Sequence, residues 1–351
     1  MAERNIIVIG ASAGGVEALR QLVHSLPERL DASLFVTIHF PSHGTSVLPR
    51  ILSRMGHLPV LHPLDGEHIA TGRIYVAPPD FHLLVDRKRI RVIRGPRENG
   101  HRPAIDPMFR SAAVAFGPRV IGVVLTGNLD DGTGGLAAIK RRGGLALVQD
   151  PEDALFPSMP QSAIEHVPVD RVAPIRAMWP ALDVLMKTPI EKREYAIMSD
   201  DAIENELAAA NLSAIERPEG HPGHVSAFSC PDCGGVLWEL KDGDFVRFRC
   251  RVGHAWTGEG LVAKQSDILD EALWTALRSL EESVSLTRQL AKRHKDRGNR
   301  RLAERFEHQT SEIEARADVI RAALMQDRGI QVTPDVGDSE GSPEESRATG
   351  D

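Results

Sequence analysis

The chain reads IIVIGASAGGVEALRQLV at residues 6–23, and this stretch decides the fold. Four β-branched residues at its start, Ile6 to Ile9, predict a buried strand. A glycine-rich turn follows at residues 10–15, and apolar residues then recur with a period of 3.6 from Val16 to Leu26, which predicts a helix. Strand, tight turn and helix in this order begin a βαβ unit and predict a mostly parallel sheet.

The same alternation continues to about Lys187. Further strands are predicted at Leu34–His39, Arg73–Val76, His82–Val85, Arg89–Ile93, Val120–Leu125, Leu145–Val148 and Val172–Ile175. Helices are predicted around Val47–Met55 and at Asp106–Phe116, Asp131–Arg141 and Ala177–Lys187. Residues 1–188 therefore read as one α/β domain, a doubly wound, Rossmann-like sheet with helices on both faces.

The remainder of the chain divides into four further parts. Residues 189–225 are polar and weakly patterned, which indicates a linker with a short helix at 201–212. Residues 226–258 form a compact module around a β-hairpin, and two long helical patterns at 259–328 predict an antiparallel helical hairpin. Residues 329–351 read as a disordered acidic tail, because six acids and one base fall within residues 335–351.

Charge and hydropathy exclude several classes of protein. The 351 residues carry 42 Lys and Arg against 49 Asp and Glu, a net charge of −7, which argues against binding nucleic acid or an anionic membrane. No run of about 18 apolar residues occurs, so no membrane span is predicted, and we expect a cytoplasmic protein.

Three polar residues follow predicted strands of the parallel sheet. Ser12 lies in the glycine-rich turn, His39 ends the second strand, and Asp131 follows the strand Val120–Leu125. Because the carboxyl ends of parallel strands meet at one edge, we expect these side chains to lie together. A hydroxyl, an imidazole and a carboxylate are the nucleophile, base and orienting group of acyl transfer.

The glycine-rich turn also permits a dinucleotide-binding interpretation. GASAGG departs from the G-x-G-x-x-G pattern, since Ser12 stands where that pattern needs a glycine. The second strand also ends in His39 rather than in an acid that would hold a ribose. Dinucleotide binding is therefore the less favoured interpretation of this turn.

Five segments together resemble the catalytic domain of CheB-type protein-glutamate methylesterases. They are VIGASAGGVEAL at 8–19, IHFPSHGTSVLPRIL at 38–52, GRIYVAPPDFHLLV at 72–85, HRPAIDPMFRSAA at 101–113 and LTGNLDDGTGGLAAI at 125–139. The resemblance implies a serine esterase that hydrolyses γ-glutamyl methyl esters on chemoreceptors and often deamidates receptor glutamines. It carries Ser12 over as nucleophile, His39 as base and Asp131 as orienting acid, with backbone oxyanion donors at Ala13 and Asn128.

Two features qualify what the resemblance implies. The family's T-G-M-G-x-D-G reads TGNLDDG at residues 126–132, so Asn128 replaces the methionine. Chemotaxis members of the family carry an N-terminal receiver domain, whereas the match here begins at Asn5, so we expect no attached receiver to regulate this domain. The alternative is a non-catalytic scaffold or signalling adaptor of the same fold that recruits partners through its C-terminal part.

The three cysteines of the chain fall within 21 residues. Cys230-x-x-Cys233 precedes the hairpin of the compact module, and Cys250-x-x-x-His254 follows it, which is typical of a structural zinc site. Four protein ligands leave the metal no open position, so zinc is expected to fold the module, and no cofactor is expected for catalysis. The segment resembles a zinc-ribbon-like appendage of some CheB-type esterases.

The candidate partners follow from charge and apolar pattern. Basic residues cluster at 87–102, a solvated face or a docking surface for acidic receptor helices. The apolar stripe of residues 259–328 primarily predicts the core between the two helices. Its second interpretation is a surface that binds a second copy of the chain or a partner helix. Arginines at 247, 249 and 251 are too few to indicate nucleic-acid binding. We expect the C-terminal part to change substrate access or assembly and to leave the chemistry unaltered.

Overall fold

The structure is a computed structural model that describes residues 4–39, 46–190, 223–242 and 245–326. The chain divides into two compact units, Met1–Gln265 and Ser266–Asp351. The helix predicted at 201–212 and the acidic tail predicted at 329–351 lie outside the described residues.

A seven-stranded parallel sheet forms the centre of the first unit. Its strands are β1 (Ile6–Ala11), β2 (Ser33–Ile38), β3 (Val60–Leu61), β4 (Ile74–Val76), β7 (Val120–Val124), β8 (Leu145–Gln149) and β9 (Arg171–Ala173). The strand order is β3-β4-β2-β1-β7-β8-β9, and every neighbouring pair is parallel. Connections therefore leave β1 in opposite directions on its two sides, which opens a crevice at its carboxyl end.

Within the described part of the chain, six α-helices cover the two faces of this sheet. They are α1 (Gly15–Ser25), α2 (Leu48–Ser53), α3 (Ile105–Phe116), α4 (Thr133–Arg141), α5 (Ser158–His166) and α6 (Met178–Lys187). Alternate residues of β1 point to opposite faces: Ile7 and Ile9 pack with α1, α2 and α6, whereas Val8 packs with α3, α4 and α5. The predicted three-layer, doubly wound α/β fold is confirmed.

An antiparallel hairpin lies beside the parallel sheet, formed by β5 (His82–Val85) and β6 (Ile90–Ile93). Its buried residues Leu83 and Val85 join the same core cluster as Phe109 of α3. The sequence pattern predicts this hairpin but shows no signal for β3 or α5. The two-residue β3 is too short to show alternation, and α5 reads SMPQSAIEH, with a proline and few apolar residues.

A second sheet, of four antiparallel strands, belongs to the same unit. Its strands are β10 (His224–Ser229), β11 (Val236–Asp242), β12 (Phe245–Cys250) and β13 (Ala255–Thr257), in that order. The core of this module contains Leu237, Phe248 and Trp256, together with two of the cysteines. The predicted hairpin is present as β11 and β12, whereas β10 begins inside the segment assigned to the linker.

Two long helices complete the chain as far as it is described, α7 (Gly258–Asp296) and α8 (Arg300–Gln326). The ion pairs Lys295–Glu307 and Arg321–Glu281 show that the helices run antiparallel within the second unit. Their buried interface includes Leu277, Ala317 and Leu324. Among the described residues, neither these helices nor any other is long and apolar enough to cross a membrane.

Candidate active site

Ser12 lies in the turn between β1 and α1, directly beyond the carboxyl end of the central strand. Its N–H donates to the carbonyl of Thr126 at 3.0 Å, and its own carbonyl accepts from the N–H of Gly15 at 2.9 Å. Gly14 has φ +75°, a conformation that side chains rarely adopt. A Cβ on Gly127 would lie 2.8 Å from Cβ of Ser12, so the loop after β7 can approach the serine only with glycine there.

His39 and Asp131 complete a continuous chain of hydrogen bonds. Nδ1 of His39 lies 2.9 Å from Oγ of Ser12, and Nε2 lies 2.7 Å from Oδ2 of Asp131. An ionised carboxylate only accepts hydrogen bonds, so Nε2 carries the imidazole proton and Nδ1 accepts from the hydroxyl. The side chains of His39 and Asp131 are 7% and 3% exposed. The structure thus brings together the three residues that the sequence singled out.

The N-terminus of α3 holds Asp131 in its ionised form. Its Oδ2 also accepts from the N–H of Ile105 at 2.8 Å, and its Oδ1 accepts from the N–H of Asp106 at 3.3 Å. Burial alone would raise the pKa of Asp131, but the hydrogen bond and charge of His39 and the N–H of Ile105 outweigh it and lower that pKa to about 2. The carboxylate is therefore charged throughout the neutral range.

Comparison with known proteins identifies the family of this chain. The family model for CheB methylesterase matches residues 7–182, which are half of the chain and include the positions of Ser12, His39 and Asp131. The chain belongs to the CheB methylesterase family. The family membership implied by the five sequence segments is confirmed.

Relatives of this CheB-family chain cover the same region. A Leptospira interrogans protein is 40% identical over 167 residues, which are 47% of this chain and 86% of that protein. Proteins of Pyrococcus abyssi and Anaeromyxobacter dehalogenans, both named protein-glutamate methylesterase/protein-glutamine glutaminase, are 36% and 38% identical over 176 and 182 residues. This chain spans about half the length of each of those two, 48% and 50%.

A solved structure agrees with the CheB fold. The crystal structure of the Thermotoga maritima CheB methylesterase catalytic domain superposes with a TM-score of 0.51 at 32% sequence identity. The match covers 52% of this chain and 100% of that domain. The family model ends before the second sheet and the two long helices begin.

The two predicted oxyanion donors lie on the loops that flank Ser12. Thr126 Oγ1 donates to the carbonyl of Ala13 at 3.0 Å, which fixes the peptide between Ala13 and Gly14. The N–H of Gly127 is already bound to the carbonyl of Phe156 at 2.9 Å, whereas Asn128, the next residue, is exposed. The N–H groups of Ala13 and Asn128 therefore stay the candidates for this role.

An open pocket of about 330 Å³ gives access to the serine. Ser12, Glu17 and His39 contribute its polar side chains, and Val16 and Ile38 line its apolar side. A solvent-facing pocket with one apolar side suits a side chain presented by another macromolecule better than a deeply enclosed small molecule.

Several buried titratable groups beside the CheB site were missed by the sequence analysis. The ring of His101 stacks on that of His39, with centroids 3.7 Å apart and planes inclined by 8°. Burial, followed by the charge of His39, lowers the pKa of His101 to about 4, so this ring is neutral at neutral pH. Burial also raises the pKa of Asp106 and of Asp130 to about 7.

The four predicted metal ligands lie together in the antiparallel module. Their ligand atoms all fall within 4.8 Å of one another. Sγ of Cys233 and Sγ of Cys250 are 3.7 Å apart, and Nδ1 of His254 lies 3.7 Å from Sγ of Cys230 and 3.6 Å from Sγ of Cys250. Tetrahedral zinc with bonds of ~2.3 Å to sulfur places its ligands ~3.8 Å apart, so the cluster fits this ion.

The basic residues at 87–102 are partly neutralised within the domain. Arg91 pairs with Asp65 at 3.0 Å, and Arg94 and Arg102 both pair with Asp80. The remaining exposed positive charge is concentrated at the turn between β5 and β6, around Lys88 and Arg89.

Proposed function

We propose that this chain is a serine esterase that hydrolyses γ-methyl esters of glutamate side chains on chemoreceptor-type proteins. The observation that carries the proposal is the hydrogen-bonded chain Ser12–His39–Asp131 inside a CheB methylesterase domain. The names of the relatives support the same activity. They give no support to the alternative of a non-catalytic scaffold.

The geometry supports a two-step reaction. Oγ of Ser12 attacks the ester carbonyl while Nδ1 of His39 takes the hydroxyl proton, and the imidazolium that forms is stabilised by the carboxylate of Asp131. The tetrahedral oxyanion receives hydrogen bonds from the N–H groups of Ala13 and Asn128. His39 returns the proton to the leaving methoxide, which departs as methanol and leaves an acyl-enzyme. His39 then takes a proton from a water molecule, which attacks the acyl-enzyme, and returns that proton to Oγ of Ser12; the receptor leaves with a free γ-carboxylate on its glutamate side chain.

A glutamine side chain in the same position would undergo the same steps, with ammonia as the leaving group. Deamidation of glutamines is therefore the second activity that we propose. The partner in both reactions is a receptor helix that presents the glutamyl or glutaminyl side chain to the open pocket at Ser12. The positive turn at Lys88 and Arg89 suits the acidic surface of such a helix.

We further propose that Cys230, Cys233, Cys250 and His254 hold one structural zinc ion per chain. Cys230 and Cys233 precede β11, Cys250 ends β12 and His254 follows it, so the ion would join both ends of the hairpin. Four protein ligands close the coordination sphere, and such an ion contributes folding free energy and no open position for substrate.

Methanol release from a methylated receptor fragment tests the activity. Wild-type protein is expected to release methanol in proportion to the esters present, and Ser12→Ala is expected to lose at least ~10³-fold in rate. Ser25→Ala is the matched control, because Ser25 lies at the far end of α1, where its hydroxyl binds the carbonyl of Leu22. Wild-type turnover by a folded Ser12→Ala protein would remove Ser12 from the mechanism.

A further inference from the structure

The tight turn at residues 98–101 connects the antiparallel module to the Ser12 site. Glu98 and His101 bond to each other through both backbone N–H groups, and the two residues between them have positive φ, 51° at Asn99 and 74° at Gly100. An Asn-Gly pair in this conformation makes a rigid two-residue turn. Buried Arg110 anchors the turn from the side, since its NH2 lies 2.7 and 2.9 Å from the two carboxylate oxygens of Glu98.

Strand β13 of the module binds along this turn. The N–H of Asn99 donates to the carbonyl of Ala255 at 2.8 Å, and the N–H of Ala255 donates to the carbonyl of Arg97 at 3.2 Å. The indole of Trp256 lies against Gly100, where an added Cβ would be 3.5 Å from the ring. Because β13 begins one residue after His254, the module's ligand loop leads directly into this contact.

The side chain of Asn99 links the module to the carboxylate of the hydrogen-bonded chain. Its Oδ1 accepts from the N–H of Thr257 at 2.8 Å, and its Nδ2 donates to Oδ1 of Asp131 at 3.4 Å. The amide is thus oriented by Thr257, since reversing it would place the oxygen against a carboxylate and the NH2 against an N–H.

Thr257 makes a second bond on the other side of Asp131. Its hydroxyl donates to Oδ1 of Asp130 at 2.7 Å and accepts from the N–H of Gly260 at 3.0 Å, so it also caps the start of α7. One threonine of the module therefore contacts Asp130, the neighbour of Asp131, and the asparagine that donates to Asp131. Thr257 is 1% exposed, which shields these bonds from water.

We propose that Asn99 is a positioning residue for Asp131, held in place by Thr257, so that the antiparallel module is a structural part of the esterase site. Asp131 receives two bonds on Oδ2, from His39 and Ile105, and its Oδ1 is held by the N–H of Asp106 and by Asn99. Loss of the Asn99 amide leaves Oδ1 with the N–H of Asp106 as its remaining donor, so the carboxylate is held less firmly, the acceptor for His39 shifts and activation of Ser12 weakens. This inference rests on the proposed esterase function and departs from the expectation that the C-terminal part leaves the chemistry unaltered.

The test measures two rates on full-length variants: methanol release, and covalent labelling of Ser12 by a fluorophosphonate. Asn99→Gly suits the positive φ and removes only the side chain. It is expected to lower kcat and the labelling rate about tenfold, or ~1.4 kcal/mol in the barrier, with KM changed less than twofold. Asn99→Asp keeps the acceptor for Thr257 but opposes a carboxylate to Asp131, and it is expected to lose more.

Thr257 provides the rescue and its control. Thr257→Val keeps the N–H that binds Asn99 but removes the hydroxyl that fixes residue 257 to Asp130 and Gly260. The N–H is then positioned less firmly, so the labelling rate is expected to fall severalfold, whereas Thr257→Ser keeps the hydroxyl and is expected to label at close to the wild-type rate. Thr310→Val is the matched control, because it removes an equally buried hydroxyl whose bonds are to Thr287 and to the carbonyl of Phe306. It is expected to label at the wild-type rate. Circular dichroism melts establish which variants are folded.

The outcomes separate this inference from the proposed function. Wild-type kcat and labelling in folded Asn99→Gly overturn the inference and leave the esterase proposal standing. If that variant does not fold, the same two rates are measured on Asn99→Asp and Thr257→Val, and wild-type rates in both would overturn the inference. Labelling of wild type without methanol release overturns the proposed substrate alone, and the labelling rates still decide the role of Asn99. Failure of wild type to label overturns both.

Discussion

The Ser12 site and the Cys230–His254 cluster both bring their side chains into close contact, but the residues of the first are far apart in the sequence and those of the second are near one another. Ser12, His39 and Asp131 are separated by up to 119 residues, and the order of the parallel strands brings them to one edge of the sheet. Cys230, Cys233, Cys250 and His254 fall within 25 residues, and one hairpin suffices to gather them. The first site is held by a large core, and the second by few apolar residues.

Because the two sites are held together differently, mutation or metal removal should affect them differently. The hydrogen bonds of the first site are complete within the protein, so a single exchanged atom there changes chemistry without unfolding the domain. Among the described residues, the apolar cluster of the module consists of Cys230, Leu237, Phe248, Cys250 and Trp256, together with Leu261 of α7. So small a core offsets little of the entropy of ordering about 35 residues, and we expect the proposed zinc ion to supply the difference.

The largest effect is expected from Asp131→Asn. The carboxamide keeps the shape of the side chain but turns an NH2 or a neutral oxygen towards His39, which favours the wrong tautomer. Loss of the orienting carboxylate in a triad costs about 10⁴-fold in kcat. Methanol release measures this loss, and Asp183→Asn, which removes a half-exposed carboxylate paired with Lys187, is the control. A folded Asp131→Asn protein whose kcat for methanol release lies within tenfold of the wild-type value would contradict the role assigned to Asp131.

Metal removal is expected to act on the module first and on the serine second. A chelator, or His254→Ala, should raise amide hydrogen exchange across residues 223–257 and leave the exchange of β1, β2 and β7 slow. Because Thr257 holds Asn99, the labelling rate of Ser12 should fall about tenfold at the same time. His308→Ala, which removes an exposed histidine of α8, is the control. Unchanged exchange across the module would show that it does not depend on a metal.

A smaller effect concerns the pH dependence of stability. Burial raises the pKa of Asp130 to about 7 from an ordinary value of 3.8. The folded state therefore holds one more proton than the unfolded state between these values, and stability falls as pH rises from about 4 to 7. Asp130→Asn keeps the acceptor for Thr257 without this cost, so we expect it to gain ~1 kcal/mol or more in unfolding free energy at pH 8. At pH 4 the two proteins should be nearly equal in urea titrations, and equal stability at both pH values would contradict the burial of Asp130.

The smallest effect is expected at the positive turn between β5 and β6. Reversing Lys88 and Arg89 to glutamate should raise KM for a methylated receptor fragment about threefold at low salt, because steering by exposed charges is weak and screened. Labelling of Ser12 should not change. Arg176→Glu reverses an exposed charge elsewhere in the domain and should leave KM unaltered. A KM independent of the first substitution would remove this turn from the docking surface.

Apart from β3 and α5, the strands of the parallel sheet and its helices could be predicted from the sequence. The meeting of Ser12, His39 and Asp131 could be predicted too, because the positions of strand ends follow from the topology. The four cluster residues were equally predictable from short spacings. Asn99 was not, since its partner Thr257 lies 158 residues away and no strand order relates the two. The Asn99-Gly100 pair is a turn signal in the sequence, and it would have located the turn but not its contacts.

Elements with weak local pattern were also missed. Strand β10 carries the sequence HVSAFS, most of it exposed, so no alternation distinguishes it from the polar segment before it. The pKa of Asp106 likewise depends on burial and on the charge of Asp131, which neither residue's neighbours in the sequence reveal. Tertiary contacts, not local composition, set these properties.

Mass spectrometry of the fluorophosphonate adduct tests the central claim most directly. The full chain, treated at neutral pH and digested, is expected to carry one adduct, on the peptide that contains Ser12. The adduct should be absent from Ser12→Ala and should form about 10⁴-fold more slowly in Asp131→Asn. A folded wild-type protein that remains unlabelled, or that carries its adduct on another residue, would contradict the account.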